Sequence, residues 1–136
     1  DPMVLPAFFS HPRLMVGSDA ILLGDYPPAT SHGTFPLVIQ KYCRDNQGMP
    51  LHEAIRKMTS YPAQLVGLTQ RGLLRDGMKA DIVVFDYENI AALATRLNPK
   101  RFSTGLDYVI VNGKIVVDHG EHTGLLPGRA LKRGLC

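Results

Sequence analysis

The sequence predicts an α/β fold that continues into a smaller part made of β-strands, and three patterns support this class. A short apolar run at residues 14–16, followed by turn residues, predicts one buried strand. Apolar residues at helical spacing over residues 36–66 then predict helices. From residue 80 onward, β-branched runs separated by turn residues predict several strands. The 136 residues, 45% of them hydrophobic, have the size and composition of one globular domain or less.

The predicted strand at residues 14–16 has no evident partner nearby in the chain. It is continuously apolar and ends in Gly-Ser-Asp at 17–19, which is typical of a strand buried on both faces of a parallel sheet. Such a strand needs neighbours, yet the residues that follow predict helices. The chain also opens at Asp1 without an initiator methionine. We therefore expect a piece of a larger protein, unless the start was trimmed or engineered. Residues 1–9 predict no firm structure.

The middle of the chain predicts three helices after a loop at residues 24–36. The first helix covers residues 36–44, with Pro36 in its first turn and an apolar stripe along one side. The others cover residues 50–58 and 62–66. On the second helix, the polar residues predicted to face away from the core are His52, Glu53, Arg56 and Lys57.

Strands dominate the remainder of the chain. Residues 80–86 predict a strand, residues 88–94 one or two helical turns, and the following residues a loop up to Gly105. A tight hairpin is predicted over residues 108–117, because Asn112-Gly113 lies between two apolar runs and both residues of the favoured turn need positive φ. The tail from His119 is rich in turn residues.

Composition excludes several classes of function. No apolar run approaches the ~20 residues that span a bilayer, so we expect no membrane partner. A net charge of +3 does not indicate nucleic-acid binding, and the basic residues of the tail predict a solvated end. The two cysteines form no disulfide framework, so a reducing compartment and hence a cytoplasmic location are expected.

Asp19 is the sharpest candidate for chemistry. It stands just after the predicted buried strand, and the carboxyl ends of such strands face the active site in α/β barrels and open sheets. A carboxylate there is placed for catalysis or metal binding. The residues alone leave a second interpretation open, in which Asp19 caps the following turn, as aspartate commonly does.

The histidines and cysteines give no self-contained zinc site. No two of the five histidines are separated by one residue, and no cysteine pair has zinc-finger spacing. His32 lies in the loop after Asp19 and is a candidate for the same pocket, with a structural or solvated role as the alternative. His119 and His122 are predicted to be solvated turn residues, and Cys43 a buried, unreactive thiol.

Several motifs follow one another in the order of a known family. They are Met-Val-Gly-Ser-Asp at 15–19, Gly-Thr-Phe-Pro at 33–36, Glu-Ala-Ile-Arg-Lys-Met-Thr-Ser-Tyr-Pro-Ala at 53–63, Arg-Gly-Leu-Leu-Arg-Asp-Gly at 71–77, Ala-Asp-Ile-Val-Val-Phe-Asp at 80–86, Tyr-Val-Ile-Val-Asn-Gly at 108–113, Gly-Glu-His-Thr-Gly at 120–124 and Pro-Gly-Arg at 127–129. The series resembles the carboxyl-terminal part of the amidohydrolase superfamily and, within it, the D-aminoacylase (N-acyl-D-amino-acid deacylase) branch.

The resemblance implies a fold and a role for Asp19. Residues 1–70 would hold the last β/α unit of a metal-dependent (β/α)8 barrel, and residues 71–136 strands of a small, structural β domain. Asp19 would contact a zinc site and act as general base, taking a proton from the metal-bound water and passing it to the departing amine. The other metal ligands would lie upstream, in the rest of the barrel or a partner subunit. The isolated chain would be incomplete and inactive.

One departure from the family concerns the substrate, a small amide. D-aminoacylases usually carry His-Pro-Arg shortly before Gly-Thr-Phe-Pro, and that arginine holds the substrate carboxylate. The aligned residue here is Thr30, which cannot form the charge-assisted pair that arginine offers. Thr30 and His32 are therefore candidate residues of the substrate loop. The alternative to a hydrolase is a non-catalytic α+β module for assembly or binding; nucleic-acid binding through the tail is a weaker third hypothesis.

Overall fold

A computed structural model describes residues 4–131 of the chain, with side chains from residue 7 onward. Within this part the first half is helical and the second half forms one sheet. The elements are α1 (Val4–Ser10), α2 (Thr30–Leu37), a π-helix (Val38–Asp45), α3 (Leu51–Met58), α4 (Ser60–Val66), β1 (Ile82–Phe85), β2 (Leu106–Val111), β3 (Lys114–Asp118) and β4 (Glu121–His122). Helix α1 lies where the sequence predicts no firm structure.

The predicted strand at residues 14–16 is not formed in the described part of the chain. Its residues are half-buried in an extended segment without a paired strand. A strand exists only through hydrogen bonds to a neighbouring strand, and the described residues provide none there. The backbone N–H of Val16 instead donates to the carbonyl of Lys57 at the end of α3, 3.2 Å away. The segment is half-buried, whereas the sequence predicts burial on both faces. Its strand neighbours are expected from outside this chain, so the strand itself stays a prediction.

Helix α2 begins at Thr30, six residues before the predicted start at Pro36. Pro36 lies inside the helix, so the carbonyl of His32 loses its usual N–H donor. The Ser103 hydroxyl donates to that carbonyl instead, at 3.3 Å. This long-range partner explains why a proline taken as a starting signal lies within the helix. The apolar stripe is confirmed, with its buried members in the π-helix: Val38, Ile39 and Cys43.

Helix α3 confirms the prediction for residues 50–58, starting one residue later. Ala54 faces a core cluster with Val38, Cys43 and Met49. The solvent-facing assignment is wrong for one residue, because Lys57 is fully buried. Its side chain turns toward carbonyl oxygens of residues 11 and 14, which the helical periodicity alone could not reveal.

The second half is a four-stranded antiparallel sheet in the order β1-β2-β3-β4. The predicted hairpin is confirmed: β2 and β3 flank Asn112 (φ 48°) and Gly113 (φ 76°). Both turn residues have the positive φ that this short connection requires. A second tight turn, at His119-Gly120, adds the short strand β4 within the predicted turn-rich tail.

The predicted helical turns at residues 88–94 are replaced by one turn and an isolated bridge. The Asp86 carboxylate accepts hydrogen bonds from the backbone N–H groups of Glu88 (2.9 Å) and Asn89 (3.2 Å) and from the Asn89 side chain (2.7 Å). These bonds, that of the Asn89 side chain foremost, lower the pKa of Asp86. Asp86 therefore caps a single turn, which the Ile90 N–H closes by donating to the Asp86 carbonyl at 2.8 Å. Ala91 then pairs with Thr104.

The two halves meet where α2 and the π-helix contact residues 87–94. The Arg44 guanidinium donates to the carbonyls of Glu88 (2.9 Å) and Ile90 (2.8 Å), and the Gln40 side-chain oxygen accepts the Ala92 N–H (3.0 Å). Gly33 of α2 lies so close to this segment that a Cβ there would come 3.2 Å from the Cβ of Ala92. The segment between β1 and β2 therefore holds the helix that carries two candidate site residues.

One charge pair on α3 makes stability depend on acid pH. The Arg56 guanidinium donates to both carboxylate oxygens of Glu53 at 2.8 Å, and this holds the pKa of Glu53 at about 2, below its ordinary 4.5. Because the folded pKa is depressed, the pair stabilises the fold above pH 4.5 and is lost as pH falls toward 2. We expect Glu53→Gln to flatten the fall in urea midpoint between pH 4.5 and 2, and Glu121→Gln, on exposed β4, to leave it unchanged. An unaltered pH profile in Glu53→Gln would contradict this.

Candidate active site

Asp19 lies in an exposed segment between α1 and α2. Its backbone has a φ of 49°, in the left-handed region that non-glycine residues seldom adopt. No hydrogen bond among the described residues involves its carboxylate, so the capping interpretation finds no support in this structure. The carboxylate is left available to solvent and to a ligand. Left-handed aspartates of this kind are a starting point for a functional hypothesis.

A hydrogen-bonded junction joins the segment that follows Asp19 to the start of α2, the helix that carries Thr30 and His32. The Ser31 hydroxyl donates to the carbonyl of Ile21 (3.1 Å) and accepts the N–H of Ile21 (3.2 Å). Ile21 follows Asp19 by two residues, and Ser31 lies between Thr30 and His32. The structure therefore brings the backbone that carries Asp19 to the start of α2. Ser31, the second residue of α2, could not be singled out from the sequence, because a lone serine in a segment predicted as a loop carries no pattern.

Thr30 is the first residue of α2 and its side chain is exposed. Its carbonyl accepts the Thr34 hydroxyl at 2.8 Å, a bond within the helix. The hydroxyl of Thr30 offers one donor and no charge, so it can hydrogen-bond a ligand oxygen without the ion pair that an arginine would make.

His32 is half-buried beside a loop from the second half of the chain. Its ring meets the Phe102 ring edge-on, with 5.8 Å between centroids, and its Nδ1 atom is buried without a hydrogen-bond partner. Its carbonyl accepts the Ser103 hydroxyl. Phe102 and Ser103 are further contacts that the sequence could not indicate, since they lie some seventy residues away along the chain. One side of the ring is therefore covered by Phe102, and its buried Nδ1 atom has no partner among the described residues.

A cavity of about 420 Å³ lies next to the start of α2. It is lined by residues 26–29 and by Arg96, which is exposed. Arg96 thus brings a guanidinium to the loop that ends at Thr30. Nearby, the exposed Lys100 ammonium lies 3.8 Å from the Asp25 carboxylate. The second half of the chain therefore places two cationic side chains beside this loop. The resemblance had implied a purely structural role for residues 71–136.

The remaining titratable candidates are not part of the junction between Ile21 and Ser31. Across residues 4–131 no three His, Cys, Asp or Glu side chains group closely enough to hold a metal ion. Cys43 is buried, as predicted, and burial raises the pKa of its thiol. His119 and His122 are exposed, as predicted; the His119 Nε2 atom is 2.7 Å from the Tyr108 hydroxyl. Asp19 is thus the candidate that offers an exposed carboxylate near the start of α2.

Residues 10–117 match the sequence profile of the amidohydrolase family. The chain belongs to the amidohydrolase family. The match covers most of the chain, and it confirms the resemblance drawn from the motifs. It also favours a hydrolase over a non-catalytic module.

Individual amidohydrolases narrow the resemblance to the D-aminoacylase branch. The N-acyl-D-aspartate deacylase of Alcaligenes xylosoxydans xylosoxydans is 43% identical over 93% of this chain and 25% of its own length. A solved D-aminoacylase, described for its binuclear metal centre, is 35% identical with a TM-score of 0.88 and covers 92% of this chain and 26% of its own. The N-acyl-D-glutamate deacylase of Bordetella bronchiseptica, solved with zinc and a phosphonate inhibitor, is 38% identical with a TM-score of 0.83 over 85% of this chain and 24% of its own.

This amidohydrolase chain therefore spans about a quarter of the length of the relatives it matches. Among the helices of residues 4–131, none has the length and apolar character required to cross a membrane.

Proposed function

We propose that this chain is part of a metal-dependent amidohydrolase that deacylates N-acyl-D-amino acids by hydrolysing an amide C–N bond. The observation that carries the proposal is the 43% identity with an N-acyl-D-aspartate deacylase over 93% of the chain. Identity at this level over nearly every described element supports the same fold in this part. The exposed Asp19 carboxylate supports shared chemistry.

Asp19 serves as the general base in this proposal. Its carboxylate accepts a proton from the attacking water, whose oxygen forms a bond to the substrate carbonyl carbon. As the C–N bond breaks, Asp19 returns that proton to the leaving amine nitrogen. A base must reach both positions in turn, and an exposed carboxylate without hydrogen bonds to described residues is free to do so.

The described residues offer one ligand to the metal rather than a complete site. An aspartate oxygen is an accepted zinc ligand, but structural and catalytic zinc sites need at least three protein ligands. Because residues 4–131 hold no such group, Asp19 fits as one contributor and the remaining ligands would come from outside these residues. When bound, zinc lowers the pKa of a coordinated water and polarises a carbonyl. We accordingly propose that the 136-residue chain alone is inactive.

The start of α2 borders the substrate in this proposal. Thr30 can donate a hydrogen bond to the substrate carboxylate, and Arg96 on the adjoining cavity can supply a positive charge. His32, whose ring contacts Phe102, lies on the same helix turn as Thr30. The division into a barrel part (residues 1–70) and a small β domain (71–136) is also proposed. It is compatible with the change from helices to sheet near residue 80.

The test is hydrolysis by the full-length protein together with its metal content. We expect zinc to co-purify, and N-acetyl-D-aspartate, N-acetyl-D-glutamate and neutral N-acetyl-D-amino acids to be deacylated in preference to their L enantiomers. Chelation should abolish turnover, and added zinc should restore it. Carboxamide analogues, which lack the free carboxylate, report whether a cation recognises that group. Turnover that survives complete removal of metal would contradict the proposal, as would a loaded protein that cleaves none of these amides.

A further inference from the structure

Lys57 is a buried charged residue that the proposed chemistry does not use. Its side chain is 0% exposed, and lysine is almost never fully buried unless it is paired. Its ammonium group donates to the carbonyls of His11 and, at 3.4 Å, of Leu14, and lies 3.7 Å from a carboxylate oxygen of Glu53. Burying the ammonium costs desolvation free energy, and its hydrogen bonds to carbonyls of an irregular segment offset that cost.

The end of α3 holds this segment at further points. The Lys57 carbonyl accepts the N–H of Val16 at 3.2 Å, and the Arg56 guanidinium donates to the carbonyl of Pro12 at 2.9 Å. Two consecutive helix residues therefore bind backbone atoms from residues 11 to 16. This is the segment that the sequence predicts as a strand, and α3 supplies its hydrogen-bonding partners.

Asp19 lies between this anchor and the next one along the chain. On its N-terminal side, the Lys57 ammonium holds the carbonyls of His11 and Leu14, and the main-chain carbonyl of Lys57 accepts the Val16 N–H. On its C-terminal side, the Ser31 hydroxyl holds Ile21. Between them, no hydrogen bond among the described residues involves residues 17–20, and a Cβ on Gly17 would meet nothing within 4 Å. The anchors on either side of Asp19 therefore hold its left-handed backbone. Such conformations persist only where the surrounding structure determines them.

We propose that the Lys57 side chain positions Asp19: by holding the carbonyls of His11 and Leu14, it places the segment that leads to the carboxylate acting as base. This inference rests on the proposed role of Asp19. Lys57 itself touches no substrate; it acts through the segment that ends at Asp19. The prediction is that its loss impairs the chemical step more than substrate binding.

The test compares Lys57→Met with Ala54→Gly in the full-length protein. Ala54 is also fully buried and lies one turn earlier on α3. It packs in the core cluster, against which Val16 also packs, but its side chain has no polar atom to hold the carbonyls of His11 and Leu14. Since a misplacement near 1 Å costs about 100-fold, we expect Lys57→Met to lower kcat by roughly 10- to 100-fold, with KM changed less than about threefold. Ala54→Gly should lose stability as a helix-interior glycine does, yet keep kcat within about twofold while folded. Equal kcat in the two folded variants would overturn the proposal.

A double variant separates positioning from a general structural effect. In the Asp19→Asn background, Lys57→Met should lower the residual rate no further, because the group it positions is already absent. A second loss as large as the first would overturn the proposal. If Lys57→Met does not fold, Lys57→Gln, which keeps N–H donors, should show the same pattern with a smaller loss.

Hydrogen exchange gives a readout that does not need the proposed activity. Amides of residues 16–21 should exchange faster in Lys57→Met than in the parent, and at the parental rate in Ala54→Gly. Unchanged exchange in Lys57→Met would overturn the inference even if the deacylase activity is real. Faster exchange in a protein that hydrolyses no N-acyl-D-amino acid would sustain the anchoring while the proposed function fails.

Discussion

Replacing Asp19 by asparagine in the full-length protein is expected to lower kcat for N-acyl-D-amino acids by about 100- to 10,000-fold, the range typical of a general base. Asparagine keeps the size of the side chain but cannot accept the proton from water. It also tolerates the left-handed backbone better than most residues, so the φ of 49° costs it little. Because the carboxylate makes no hydrogen bond to the described residues, the thermal midpoint should change by less than a degree or two.

The same change at Asp25 is the matched control for Asp19. Asp25 lies in the same loop, its side chain is 97% exposed, and its long contact with Lys100 is 3.8 Å. Exposed pairs of this kind contribute little to stability, so Asp25→Asn should keep kcat within about threefold of the parent. Equal losses at the two positions would indicate that the charge of the loop matters rather than a base. An Asp19→Asn variant with more than a tenth of the parental kcat would remove the catalytic role.

The elements that sequence predicted well are those whose signals are local. Asn112-Gly113 needs only its own backbone preferences to form a turn, and that turn sets the pairing of β2 with β3. The spacing of apolar residues likewise predicts helix α3, although the residues that it buries fully are Ala54 and Lys57. The motif series was equally informative, because each motif is a run of neighbouring residues and the family match covers them in order.

The predictions that were wrong depend on partners far away in the chain. Residues 14–16 were predicted to be buried on both faces; within the described part they are half-buried, and Val16 bonds to the end of α3. Pro36 is accommodated inside α2 because Ser103 satisfies the carbonyl that proline leaves unpaired. Lys57 was predicted to face solvent, yet its hydrogen bonds to the carbonyls of residues 11 and 14 stabilise its charged group in a buried position.

The candidate site shows the same division. Asp19 could be singled out because a carboxylate after a short apolar run is a local pattern, and the family resemblance gave it a role. Ser31, Phe102 and Arg96 could not, because each matters only through what folding brings next to it. Side chains that complete a site from another part of the chain leave no mark in the local sequence.

Gly105→Ala is expected to destabilise the fold by about 3 kcal/mol, combining a strained backbone with overpacking. Gly105 has a φ of 74°, and a Cβ there would lie 2.6 Å from both the Cα and the N of Ile90. These are backbone atoms, so no side-chain rotation relieves the overlap. Ile90 is 1% exposed, and its carbonyl accepts the Arg44 guanidinium. Displacing it therefore loosens the contact between the sheet and the helices that carry the candidate site.

Gly77→Ala separates the two components of that cost. Gly77 has a similar φ of 82°, but a Cβ there would meet nothing within 4 Å. It should lose only the backbone component, about 1 kcal/mol. Urea unfolding of the full-length protein at neutral pH measures both variants, and the difference between them reports the overlap at Ile90. If Gly105→Ala and Gly77→Ala lower the free energy of unfolding equally, the backbone around Ile90 shifts at no measurable cost. The close approach of residues 89–90 to Gly105 would then contribute nothing to the contact between the helices and the sheet.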